Sequence, residues 1–111
     1  MILQTHLLDN ALIADIQLKE ANLANSEQFK SELINLINTG NKFVIVNFEQ
    51  VTYIDSSFLG ALVSALKLAM NKGADIAVVG LNSDIRSLFQ LVRLDKVFKI
   101  YTNTQEALTG A

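Results

Sequence analysis

Two runs of β-branched and aromatic residues, Phe43–Phe48 and Ala74–Gly80, constrain this chain most. Neither shows sustained polar alternation, so each reads as a strand covered on both faces near the middle of a sheet. Each is followed by a segment of helical period. Ser57–Met70 carries Phe58, Leu59, Leu62, Val63, Leu66 and Met70 at helical intervals, and Ile85, Leu88, Phe89 and Val92 form one face after Asn82-Ser83-Asp84. Strands that alternate with helices, without proline or a long loop, predict an α/β fold with a largely parallel sheet.

The rest of the chain fits that frame. Ile2–Leu8 and Ala11–Leu18 flank the turn pair Asp9-Asn10, and the second run alternates like a half-buried strand, which predicts an N-terminal β-hairpin. Phe29, Leu33, Leu36 and Ile37 predict a helix from about Ser26 to Asn38, started by Asn25 or Ser26 and stopped at Gly40. Lys96–Tyr101 is a short final strand and Asn103–Leu108 a last helical turn or two. The expected architecture is a four- to five-stranded mixed sheet with about four helices, forming one domain over residues 1–111. In the central helix, Gly60, Ala61, Ala65 and Ala69 form a small-residue strip suited to tight packing.

Composition narrows the chemistry. The chain has no cysteine, which removes thiol nucleophiles and thiolate metal sites, and its one histidine, His6, reads as a strand or surface residue. A formal charge of −2 with scattered Lys and Arg gives no nucleic-acid footprint. The basic gathering Arg93–Lys99 includes Asp95 and reads as a solvated helix end. No apolar run is long enough to span a membrane and no signal peptide is evident, so the expected location is cytoplasmic. The five glycines are too dispersed for a phosphate-binding loop, and the carboxylates too scattered for a metal site. No cofactor is expected.

Attention therefore falls on Tyr53-Ile54-Asp55-Ser56-Ser57-Phe58-Leu59-Gly60, where an apolar strand gives way to polar groups and then a helix. Asp and Ser satisfy the free N–H groups of a helix start. Nucleophilic catalysis by Ser56 or Ser57 would need a general base, and neither an imidazole nor a Gly-x-Ser-x-Gly elbow is at hand. The residues alone leave two readings open: a helix cap, or a regulatory surface in which the hydroxyls and Phe58 face a partner.

The run from Val51 to Leu62 resembles the signature of STAS domains of the bacterial anti-sigma factor antagonist family, Asp-Ser-Ser/Thr-Gly-Leu-Gly after an apolar strand. The resemblance extends over nearly the whole chain. It implies a non-enzymatic switch protein in which Ser56, the serine after the aspartate, is the phosphoacceptor, with Asp55 and Ser57 as motif neighbours and Ser57 as the cap. It further implies an anti-sigma factor with serine kinase activity as partner and a serine phosphatase that reverses the modification. The unphosphorylated form would bind the anti-sigma factor and release a sigma factor. The chain departs from the motif at Phe58, which replaces a glycine and would require a matching hollow in the partner. Before the first helix, Glu20 is retained while Asn22 replaces a carboxylate, so both enter the expected partner-binding set. A homodimer driven by the apolar helix and Phe58 stays open. The alternative is an unphosphorylated STAS scaffold subunit of a lipid-transport or signalling complex, in which the serines only cap.

Overall fold

The structure is a computed structural model that describes residues 1–110. Five strands form one sheet in the order β1 (Leu3–Leu8), β2 (Ala11–Ile16), β4 (Phe43–Asn47), β6 (Asp75–Val79) and β7 (Lys99–Tyr101). The β1–β2 pair is an antiparallel hairpin and the remaining neighbours are parallel. Among the described residues the helices are α1 (Leu23–Asn38), α2 (Ser56–Asn71), α3 (Ser83–Leu91) and α4 (Thr104–Thr109). The expected mixed, largely parallel sheet with its hairpin and four helices is what the chain forms.

The central strands are apolar on both sides because both sides are covered. Val44, Val46, Ile76 and Val78 join the main core with Phe29 and Leu33 of α1 and Leu62, Ala65 and Ala69 of α2. Ile45, Ala77 and Val79 face the other way, where Ala107 of α4 packs with them. Ala11 and Ile13 of β2 belong to that second cluster. This strand is therefore more buried than its alternation predicts, since its second face meets neighbouring strands and not water alone.

Helix boundaries shift for identifiable reasons. α1 starts three residues before the expected Ser26, because Asn22 is its N-cap: the Asn22 Oδ1 accepts from the Ala24 N–H at 3.0 Å while Asn25 Oδ1 accepts from the Asn22 N–H at 2.9 Å. At the far end Gly40 adopts φ +101 as the stop requires. α3 begins at its expected cap, with Asn82 Oδ1 accepting from the Ile85 N–H at 2.8 Å. It closes before Val92, which is 48% exposed and off the expected apolar face, since the chain turns at Arg93 in the left-handed region. Of the basic gathering that follows, Leu94–Lys96 is a short 3-10 turn.

A second, two-stranded sheet was not legible in the sequence. β3 (Glu20–Ala21) pairs in parallel with β5 (Tyr53–Ile54), matching Glu20 to Tyr53 and Ala21 to Ile54. The Thr52 N–H donates to the Lys19 carbonyl at 2.7 Å and the Asp55 N–H to the Ala21 carbonyl at 3.0 Å. This short ladder brings the residues before α1 beside those before α2. Gly80, at the end of β6, braces the same end of the sheet. A Cβ there would lie 2.8 Å from Asn47 Oδ1 and 3.0 Å from the Glu49 nitrogen, and φ is +76, so only glycine fits.

Candidate functional site

The β3–β5 ladder sets the starts of α1 and α2 side by side, and one carboxylate joins them. Asp55 is the N-cap of α2: its Oδ1 accepts from the Phe58 N–H at 3.1 Å. Its Oδ2 accepts from the Leu23 N–H at 2.9 Å, the first residue of α1. Asp55 thus satisfies an otherwise free donor at two helix termini, where a negative charge is favoured. The cap expected at Ser57 is supplied by Asp55 instead, because only a side chain just outside the helix reaches back to the third N–H.

With capping assigned to Asp55, the two hydroxyls are left for other work. Ser56 is the first residue of α2 and is exposed. Ser57 is half-buried and lines an open groove of about 340 Å³ between α1 and α2, with Leu23, Ser26, Lys30 and Gly60. Glu20 is exposed on β3, next to Tyr53, and its carbonyl accepts from Asn25 Nδ2 at 3.1 Å. Asn22 is half-buried and its Oδ1 is engaged by the α1 cap. Glu20, Asn22, Asp55, Ser56 and Ser57 therefore converge at one end of the molecule, from segments more than 30 positions apart.

Phe58 does not belong to that surface. The side chain expected to face a partner is fully buried, and its ring stacks on Phe29 of α1 with centroids 4.1 Å apart and planes 22° apart. Phe58 lies on the buried stripe of α2 with Leu62 and Ala65, so the helix that exposes Ser56 turns Phe58 inward. It needs no hollow in a partner and offers no dimer surface.

Two exposed apolar residues border the site that sequence reasoning passed over. Leu23 is 72% exposed and Tyr53 is 53% exposed. Leu23 carries a signal in hindsight: it lies off the Phe29–Leu33–Ile37 face of its own helix, and an out-of-phase leucine is one that the core does not use. Tyr53 also edges a second hollow of about 230 Å³, with Thr52, Asp84 and Leu88. Among the described residues, no three His, Asp or Glu side chains are grouped to hold a metal ion. No helix of the described chain is long and apolar enough to cross a membrane.

One end of this small α/β fold thus presents a capped helix start, an exposed hydroxyl and an adjoining groove. A family model described as the STAS domain matches residues 9–107. A protein of Thermotoga maritima described as an anti-sigma factor antagonist is 32% identical over 91 residues, covering 81% of this chain and 80% of its own. The crystal structure of a Thermotoga maritima protein so described superposes with a TM-score of 0.87 at 26% identity, covering 97% of this chain and 92% of that one. The phosphorylated form of the Bacillus cell-fate determinant SpoIIAA superposes with a TM-score of 0.72 at 18% identity, covering 96% of each, a likeness of fold. The chain belongs to the STAS-domain family, among the anti-sigma factor antagonists. Such proteins are regulatory and non-catalytic, and act in partner switching with anti-sigma factors.

Proposed function

We propose that this anti-sigma factor antagonist, acting as one domain over residues 1–111, is switched by phosphorylation of Ser56. Its unphosphorylated form binds an anti-sigma factor that is also the serine kinase, a sigma factor is freed, and a serine phosphatase restores the binding form. The observation that carries the assignment is the division of labour in the motif. Asp55 is spent on capping α2 and on the Leu23 N–H of α1, Ser57 is half-buried in the groove, and Ser56 is the exposed hydroxyl at the first turn of α2.

Docking would run across Glu20, Asn22, Ser56 and Ser57, with Leu23 and Tyr53 as the apolar rim. A phosphate adds roughly −1.5 to −2 charge at Ser56, beside the Asp55 carboxylate. Closing a partner over that charge would require its desolvation, so binding is lost while the buried Phe29–Phe58 stack leaves the fold unchanged. The replacement of the motif glycine by Phe58 is absorbed inside the protein and does not alter the docking surface.

The test is incubation with ATP and the cognate kinase. Wild type incorporates phosphate and Ser56→Ala does not; Ser56→Asp loses affinity for the anti-sigma factor, whereas Ser56→Ala retains it. Phosphate incorporation that persists in Ser56→Ala would refute the site. Binding indifferent to Ser56→Asp would instead support the scaffold reading.

A further inference from the structure

With Phe58 buried, any self-association must use another surface, and we infer that the outer edge of β1 pairs with the same edge of a second copy of this chain to form a symmetric dimer. Sheets usually protect their edges with charge, proline, a bulge or shortness. The opposite edge, β7, is three residues long and carries Lys99, paired with Asp75 at 2.9 Å. β1 runs for six residues with no proline, Lys, Arg, Asp or Glu, and five of the six are exposed. No residue of β1 itself puts a carboxylate on this edge, and the Glu32 carboxylate of α1 that reaches it is held by the Ile2 and Leu3 N–H groups.

The hydrogen-bond pattern sets the register. The Gln17 N–H donates to the Ile2 carbonyl at 2.8 Å, and Ile2 and Gln17 continue the pairing of Leu3 with Ile16. In an antiparallel ladder the bonded pairs alternate, so the Ile2 carbonyl and the backbone groups of Gln4, His6 and Leu8 turn toward β2, and those of Leu3, Thr5 and Leu7 turn outward. The Leu3 N–H is already bonded to Glu32 Oε1 at 2.8 Å, which leaves its carbonyl and both groups of Thr5 and Leu7. Centring a two-fold axis at Thr5 pairs Thr5 with Thr5 of the second copy and Leu7 with Leu3. Two N–H···O bonds then form within the Thr5 pair, and the Leu7 N–H reaches the Leu3 carbonyl where the Glu32 carboxylate, which holds the Leu3 N–H, turns aside from the incoming Leu7 carbonyl.

Side chains agree with this register. Leu3, Thr5 and Leu7 share the face that turns toward α1. Leu7 is 74% exposed, and beside Leu3 lies a hollow of about 70 Å³ bordered by Thr5, Glu32, Asn35 and Leu36. The two-fold brings Leu7 of each copy over that hollow of the other, a self-complementary arrangement of the kind a two-fold dimer requires. A strip about 20 Å long and two layers deep buries on the order of 1,000 Å² in total, at the low end for specific contacts, so the association is weak.

The experiment uses sedimentation equilibrium from about 10 μM to about 1 mM, the range in which a weak dimer populates. The apparent mass of wild type should climb from 12.2 kDa toward twice that value. Leu7→Lys and, separately, Thr5→Pro should hold the monomer mass over the whole range, with thermal unfolding of Leu7→Lys unchanged because the side chain is exposed. Because the chain has no cysteine, Thr5→Cys supplies an independent readout. Bonded antiparallel partners lie about 5.5 Å apart at Cα, within disulfide reach, so this variant should cross-link on oxidation far faster than exposed Ser31→Cys. A wild type that stays monomeric throughout, a dimer that survives Leu7→Lys, or equal cross-linking of the two cysteine variants would each overturn the proposal.

Discussion

Replacing Phe58 by alanine separates a core role from an interface role. The ring is fully buried and stacked at 4.1 Å on Phe29, so truncation leaves a cavity between α1 and α2 and removes the aromatic contact. Phe→Ala changes at such sites cost about 3–5 kcal/mol. Because the pocket is closed by a second rigid ring, little collapse is available and a value of about 4 kcal/mol is expected. An unfolding entropy of about 2.1 cal/mol/K per residue gives about 0.23 kcal/mol/K for a chain of this size, so Tm should fall by about 15–20 °C. Urea unfolding followed by circular dichroism measures the loss directly. The double variant with Phe29→Ala should cost less than the sum of the singles by about 1 kcal/mol, since each single already breaks the stack. Affinity for the anti-sigma factor, corrected for the folded fraction, should not change. A stability loss below about 1 kcal/mol, or a loss of binding by a fully folded variant, would refute the inward placement of this ring.

Asp55→Ala should destabilise by about 2 kcal/mol in chemical unfolding, more than a single cap, because two helix starts lose their acceptor; a cost like that of an ordinary surface change would show that the bridge is not formed. Glu32 tethers the start of β1 to α1 by accepting from the Ile2 and Leu3 N–H groups and from Gln28. Burial disfavours its ionised form, but those hydrogen bonds and the positive N-terminus outweigh it and hold the carboxyl below its ordinary value of 4.5. Its contribution is therefore complete above that value and is lost as pH falls through the lower, folded-state value. The stability gap between wild type and Glu32→Gln should be full at neutral pH and close in acid, and urea midpoints measured down the pH scale give the comparison. Gly80→Ala should lose well over 1 kcal/mol in the same assay, since positive φ and the Asn47 and Glu49 contacts both oppose a Cβ; a neutral result would mean that the loop after β4 yields freely.

Much of this protein is written locally. The doubly apolar runs at Phe43–Phe48 and Ala74–Gly80, the helical periods after them, and the stop at Gly40 specify the alternation, and with it a sheet whose central strands are covered twice. The stretch from Asp55 to Gly60 stands out in the same way, because polar groups that interrupt an apolar pattern are visible without neighbours. The sequence could not say which polar group caps and which is free, or where an aromatic ring one turn into a helix would point. Those questions turn on residues far away along the chain: Leu23 supplies the second donor to Asp55, Phe29 supplies the stacking partner of Phe58, and Glu20–Ala21 supplies the strand that aligns the two helix starts. Period and propensity are set by residues a few positions apart, whereas the direction of a side chain at a junction is settled by what packs against it. Tertiary structure therefore moved Phe58 into the core, gave Asp55 the cap of α2 together with the Leu23 N–H of α1, and left Ser56 as the exposed hydroxyl.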